Sequence, residues 1–410
     1  MKRTLSPGWL LFILTGLNLF NYLDRYVLSV VLPPLRADLR LDYDQAGTIG
    51  TAFMLGYFLT SPIFGFLGDR ASRKWLIAIG IFVWSLGTVL TGFAKSFEEL
   101  LCYRILVGVG EASYATISPS LISDKFAGTK RNTALTIFYV AIPVGAALGN
   151  LLGGQIAAHW SWRDAFIWAG APGLLLALVL LPFKEPARGE SEHTTTKKPG
   201  LRDMLRLVTN PSYVLVVLGY TAYTFALGGF QHWGATFLQE VHGLKVDYAG
   251  NFFAISLGAS GLLGTFLGGL VASAWQKRTP AGYAWLLGCS VALAIPVAFS
   301  AFQTANTRAA MALLAGSMFL LFLSTGPTNT LILESAPANL RASAMALSIF
   351  SIHLFGDVWS PKIVGRMAAH SSLNHAMIIL PAALGVAAIF WLVLAARMRR
   401  AAPLHRESTG

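Results

Sequence analysis

Long apolar runs separated by short polar connections dominate this chain. Twelve of them are long enough to cross a bilayer, for which about 20 apolar residues suffice. They lie near residues 9–31, 45–67, 75–94, 98–120, 133–157, 162–183, 211–239, 248–274, 281–302, 308–334, 341–366 and 373–397. Runs of this length predict transmembrane helices, because lipid offers no partner for an unpaired backbone group. One long hydrophilic stretch, residues 184–210, parts six segments from six. The expected organisation is a six-helix bundle over 1–183, a linker over 184–210, a second six-helix bundle over 211–400 and a tail over 401–410.

The basic residues orient the pattern. Lys2 and Arg3, Arg70, Arg73 and Lys74, Lys125, Lys130 and Arg131, Lys184 through Arg206 of the linker, Lys277 and Arg278, Arg341, and Arg397 through Arg406 all fall on one side of such a topology. The positive-inside rule then places both termini and the linker in the cytoplasm. Charged residues make up 12% of the chain and hydrophobic ones 55%, where a soluble protein carries about 25% charge. The chain therefore reads as an all-α integral membrane protein. Its net charge of +12 follows topology rather than one patch, so nucleic acid is not an expected partner. Cys102 and Cys289 both fall inside spans and suggest neither a disulfide nor a metal site. The first segment is long, carries Asp24-Arg25 and lacks a small-residue cleavage site, unlike a signal peptide.

The two halves repeat. Asp44-Gln-Ala-Gly47 before segment 2 matches Asp247-Tyr-Ala-Gly250 before segment 8, at an offset of 203. Ser120-Leu-Ile to Arg131-Asn-Thr-Ala134 matches Thr330-Leu-Ile to Arg341-Ala-Ser-Ala344, at an offset of 210. Parallel repeats of this kind predict two bundles related by an axis along the membrane normal, with a site at their interface.

Gly65-Phe-Leu-Gly68-Asp69-Arg70-Ala-Ser-Arg73-Lys74, between segments 2 and 3, resembles the signature of the major facilitator superfamily. Read as a cytoplasmic latch, Gly65 lets helices approach closely and Asp69 accepts from an arginine or a helix N-terminus. Arg131 and Arg341, at equivalent places after segments 4 and 10, are partners for it or topology anchors. In the second half Gly268 matches Gly65, but Ala272 replaces the aspartate, so the latch is expected to be asymmetric.

Three further stretches are similar to the Spinster family of lipid transporters: Asn21-Tyr-Leu-Asp24-Arg25-Tyr26, Arg104 with Gly108-Val-Gly110-Glu111-Ala-Ser113, and His353-Leu-Phe-Gly356-Asp357 with Ser360-Pro361. The resemblance implies the major facilitator fold, twelve transmembrane helices in two six-helix bundles. It also implies a cargo of lysophospholipid or sphingoid-phosphate type, with proton coupling as proposed for bacterial members. Animal members have longer termini, and the expected location is the inner membrane of a bacterium.

The residues themselves argue for proton coupling. Arg104 and Glu111 are seven apart, two helical turns, so both lie on one face about 10 Å apart. Asn18, Asn21 and Arg25 share a face of segment 1, flanked by Asp24. Charges at this depth usually mark a substrate or ion pathway. Burial and a permanent cation act in opposite senses on a carboxyl group's hold on its proton. Asp24 and Glu111, balanced by Arg25 and Arg104, are thus candidate proton carriers; a fixed salt bridge from Arg104 to either is the bland alternative. Arg25 or Arg104 is also suited to a phosphate headgroup. His353 and Asp357, four apart on segment 11, form an accessory candidate pair. Tyr57, Tyr139, Tyr220, Thr224 and Gln231 join Asn21, Arg25 and Arg104 as candidate cavity residues, with Gly228-Gly229 as a possible kink. Pro143 with Gly145, Gly149, Gly153 and Gly154 reads as a helix-packing face.

A proton-coupled secondary carrier of an amphiphilic, lipid-like cargo working by alternating access is the leading expectation. A proton-coupled drug or organic-anion carrier is its rival. A membrane enzyme is disfavoured: no zinc-type histidine pair, serine elbow or phosphate loop occurs. No cofactor beyond the coupling proton is expected. The expected partners are the cargo and membrane lipids, and the expected state is a monomer.

Overall fold

Polar residues at the breaks between apolar runs start the helices. A computed structural model of the chain describes residues 3–4, 6–126, 128–179, 181–185, 207–337 and 340–401. Helix α1 (Pro7–Leu39) opens with Ser6 accepting from the Trp9 amide and proline at its first position, where its missing N–H is not needed. Helix α2 (Tyr43–Arg70) opens with a capping box: Asp42 accepts from Gln45 N at 2.7 Å and Gln45 Oε1 from Asp42 N at 3.0 Å. Ser96 and Ser161 cap α4 (Phe97–Lys125) and α6 (Trp162–Leu176) by accepting from the amides of Glu99 and Asp164. Between them lie α3 (Arg73–Thr91) and α5 (Gly128–His159).

The second half runs α7 (Pro211–Glu240), α8 (Val246–Ala259), a π turn at Ser260–Gly264, α9 (Thr265–Gln276), α10 (Gly282–Gln303), α11 (Thr307–Phe322), α12 (Thr325–Glu334), α13 (Arg341–Ile352), a second π turn at His353–Asp357, α14 (Ser360–His370), α15 (Leu373–Met377) and α16 (Ile379–Ala401). A two-residue parallel pair, β1 (Arg3–Thr4) with β2 (Phe183–Lys184), is the sheet among the described residues.

Nine helices of the described residues are long and apolar enough to cross a membrane. Three of the twelve expected segments fall outside that group for visible reasons. Helix α1 is 33 residues long, but Asn18, Asn21, Asp24 and Arg25 lower its hydropathy. Helix α6 has 15 residues before it loosens into turn. The segment expected over 341–366 is divided by the π turn, and α14 is amphipathic.

The chain clusters into two compact units, Met1–Thr196 with Gly234–Ile255, and Lys197–Trp233 with Ser256–Gly410. In the first, α1 packs on α5, α2 on α4, and α3 on both α4 and α6. In the second, α10 packs on α16 and α11, and α9 on α12. Third-with-sixth and second-with-fourth pairings therefore recur, as the internal repeat predicts.

Glycine sets the closest approaches. A Cβ on Gly56 would meet the Ile105 carbonyl at 2.6 Å, one on Gly110 the Gly80 carbonyl at 2.6 Å and one on Gly145 the Leu19 carbonyl at 2.5 Å. Gly145, Gly149 and Gly153 of α5 are thus a packing face against α1, while Gly154 faces Val246 and Gly250 of α8. Gly65 is different: its Cβ would meet nothing nearer than 3.7 Å, so close approach does not require glycine there. Helix α7 runs unbroken through Gly228 and Gly229. They seat it against Asp357, Ser360 and Leu380.

Segment 1 ends later than its apolar run. Helix α1 continues through Pro33 and Pro34 to Leu39. Pro34 has no N–H to give the carbonyl of Val30, and Gln239 Nε2 donates to that oxygen at 2.8 Å. Nearby, Arg36 pairs with Glu240 at 2.6 Å and stacks on Tyr43, whose hydroxyl also reaches Glu240. Gln155 donates to Asn251 at 3.0 Å. These bonds explain why residues 234–255 cluster with the first unit.

Candidate functional site

Four helices of the first unit converge on the charged residues of α1 and α4. Gly108 faces the Phe53 carbonyl of α2, and Gly110 faces Gly80 and Trp84 of α3. Glycine on either face of α4 thus draws two neighbours tight around Arg104 and Glu111. Asp24, Arg104 and Glu111 are buried, at 1%, 1% and 0% exposure.

The pairing differs from the simplest expectation. Glu111 takes Arg25 through Oε2, at 2.5 Å from Nη2 and 3.1 Å from Nε. Among the described residues Arg104 makes no salt bridge, and its Nε and Nη1 have no hydrogen-bond partner. Asp24 Oδ2 accepts from the Thr88 hydroxyl at 2.6 Å. Asp24 Oδ1 and Glu111 Oε1 are buried without a partner, and the Asn21 amide makes no hydrogen bond of ordinary geometry. Each such group costs about 1–3 kcal/mol. A cluster of them in one buried place signals function rather than stability.

Aromatic faces hold the cations. Arg25 lies 4.8 Å from the Tyr22 ring, 4.9 Å from Phe53 and 5.2 Å from Tyr57, and Arg104 lies 4.9 Å from Phe53. One ring therefore serves both arginines. Phe53 and Thr88 are absent from the sequence-derived set. An ordinary phenylalanine and threonine within apolar runs give no signal until the folded helices place them. Asn18, by contrast, ties α1 to α5 by donating to the Phe138 carbonyl at 2.9 Å.

The other candidates separate. Tyr57 belongs to this cluster. Tyr139 is 48% exposed and packs on Phe138. Tyr220, Thr224 and Gln231 belong to the second unit; Thr224 turns its hydroxyl back on the Tyr220 carbonyl, and Tyr220 packs on Tyr223. The π turn brings His353 Nδ1 to 3.0 Å from both oxygens of Asp357, so this aspartate takes histidine rather than a backbone group near Pro361. The Pro361 carbonyl instead accepts from Trp233.

In the Gly65–Lys74 motif, Arg73 is the buried member. It binds Asp124 at 2.5 Å and Glu185 at 2.9 Å, while Ser72 donates to Glu185 at 2.8 Å and Lys74 to the Leu181 carbonyl at 3.1 Å. Arg70 stacks on Phe66. The side chains of Asp69, Arg131 and Arg341, like most of the linker, lie outside the described residues. Burial raises the Glu185 carboxyl, but Arg73 and Ser72 outweigh it and hold it below its usual range. Such a group stabilises the fold above the unfolded glutamate value and loses that contribution as pH falls through the folded one. Arg73→Ala should lower stability by about 2 kcal/mol, and the difference from wild type in thermal melts should shrink on acidification. An equal difference at all pH values would count against this link.

Among the described residues, no group of His, Cys, Asp and Glu is arranged to hold a metal. The family model of the Major Facilitator Superfamily matches residues 14–361. Protein spinster of Drosophila melanogaster is 34% identical over 372 residues, covering 87% of this chain; the chain spans 61% of that relative's length. Sphingosine-1-phosphate transporter SPNS2 of Danio rerio is 30% identical over 415 residues, covering 92% of this chain and 82% of the relative. The crystal structure of a bacterial homologue of the human lysosomal transporter Spinster, inward-facing and unoccupied, superposes with TM-score 0.87 at 26% identity, covering 96% of this chain and 98% of that one. The buried α1–α4 charges thus sit in a chain that belongs to the Spinster family of the Major Facilitator Superfamily, a family of multi-pass membrane transporters and not of enzymes.

Proposed function

We propose that this chain is a proton-coupled carrier of an amphiphilic, lipid-like cargo of lysophospholipid or sphingoid-phosphate type. Two six-helix halves, over 1–183 and 211–400, rock about the site in alternating access. Both termini and the linker face the cytoplasm of a bacterial cell, with the protein in its inner membrane as a monomer. The observation that carries the reading is the division of labour in the buried cluster. Asp24 and Glu111 each have one oxygen engaged and one without a partner, beside an Arg104 that neither holds.

The chemistry follows from that division. A proton arriving on a free carboxylate oxygen removes the negative charge that Arg25 holds, and the arginines are then freed for an anionic headgroup. Guanidinium matches phosphate in bidentate fashion. A phosphate and a carboxylate competing for one arginine link cargo movement to proton movement. Relatives named as a sphingosine-1-phosphate transporter and as a probable sphingolipid transporter support the cargo class.

The test is transport in liposomes of lysophospholipid and sphingosine-1-phosphate, set against drugs and small organic anions, with and without a pH gradient. A gradient of one unit supplies about 1.4 kcal/mol per proton, or about tenfold accumulation. Glu111→Gln and Asp24→Asn should each remove this response while leaving folded protein and cargo exchange. Wild-type pH dependence in both variants would defeat proton coupling at this cluster. Transport of organic anions but of neither lipid would favour the rival carrier.

A further inference from the structure

Hydroxyls within these helices mostly fold back on their own backbone. Thr48, Thr60, Thr91, Thr221 and Thr328 each donate to the carbonyl four residues earlier, at 2.7–2.9 Å. That satisfies a hydroxyl in an apolar setting without any other helix. Thr88 departs from it. Its side chain is fully buried, and its hydroxyl leaves α3 to donate to Asp24 Oδ2 of α1. Thr91, less than a turn further along α3, keeps the backbone bond, so the helix itself does not forbid that arrangement at this depth.

The consequence falls on Asp24. Its two oxygens are made unequal: Oδ2 is held, and Oδ1 has no partner. We propose that Thr88 is a positioning residue for proton coupling, fixing the Asp24 carboxylate so that the proton arrives at and leaves from Oδ1. This rests on the proton-coupled reading given above. The groups acting on Asp24 are Arg25 of its own helix, Glu111 and Arg104 of α4, and the Thr88 hydroxyl of α3. Helix α5 faces α1 with Asn150, the Phe138 carbonyl and three glycines, none of which titrates, and with Tyr139, which acts on Tyr22 and not on Asp24. The ion pair of α6, Arg163 with Asp38, lies 14 residues along α1, about 21 Å away at 1.5 Å per residue.

The experiment compares Thr88→Val and Thr88→Ser in liposomes, reading the pH midpoint of gradient-driven transport and, separately, cargo exchange at equal pH. Valine keeps the shape and removes the donor. A donor to a carboxylate favours its ionised form, so Thr88→Val should move the midpoint to higher pH by about one unit. Thr88→Ser should restore it, and exchange at equal pH should stay near wild type in both. Should the valine variant fail to fold, Thr88→Cys, a weaker donor, replaces it with a smaller shift in the same direction. An unmoved midpoint in Thr88→Val, or the same shift in Thr88→Ser, overturns the proposal. A wild-type pH profile in both Asp24→Asn and Glu111→Gln overturns the proton reading with it, and one in Asp24→Asn alone overturns this proposal by removing Asp24 as the carrier; a flat profile in Asp24→Asn beside an unmoved Thr88→Val overturns the role of Thr88 alone.

Discussion

Arg25→Ala should lower the stability of the purified protein by about 3–5 kcal/mol, because it leaves a buried carboxylate without its partner. Glu111 is wholly inaccessible, and both of its hydrogen bonds go to the Arg25 guanidinium. Arg25 itself is only one-fifth exposed, so solvent does not dissolve the pair. The loss should appear as a lower melting temperature in detergent and a smaller monodisperse fraction. Arg25→Ala/Glu111→Gln should recover most of it, since the double variant removes the orphaned charge as well. A drop below about 1 kcal/mol in the single variant would show that Arg104 swings over to take the carboxylate. The resting pair would then be a matter of choice between two arginines rather than of fixed packing.

Gly108→Leu is expected to abolish the folded state. A side chain there would be driven into the Phe53 carbonyl and the Tyr57 amide, which are backbone atoms of α2. Backbone of a packed helix cannot rotate aside as a side chain can, so α2 and α4 must separate. Even a modest overpacking costs about 1–3 kcal/mol where only side chains must move. Gly16→Ala is the internal comparison: a Cβ at Gly16 meets nothing within 4 Å. Alanine there should be neutral or raise stability by about 0.5–1 kcal/mol through its helix preference. Both variants are checked by yield, size-exclusion profile and melting temperature. Folded, stable Gly108→Leu would mean that α2 and α4 are not held at this distance.

The contrast between these residues shows what a linear chain reveals. The spans, the internal repeat and the buried charges were legible because each departs from its surroundings: apolar length from polar loops, charge from lipid. Asp24, Arg25, Arg104 and Glu111 stood out in that way and do come together. Which arginine takes which carboxylate was not legible. Seven residues along α4 place Arg104 and Glu111 on one face, yet Glu111 turns to Arg25 across the helix boundary. Spacing within one helix cannot rank a partner on another. Phe53 and Thr88 were invisible for a related reason, since their types are ordinary in a membrane span. Gly65 failed in the opposite sense: a motif made it conspicuous, and the packing gives it room.

One detail of α1 reaches further. Proline at position 34 strips its own helix of a donor, and the oxygen this strands on Val30 is claimed by Gln239, more than two hundred positions along the chain. The break in a local ladder becomes a socket for a distant amide. Any residue other than proline at 34 would bring back an N–H aimed at the same oxygen. Two donors would then vie for one acceptor, and the end of α7 would lose its exclusive berth.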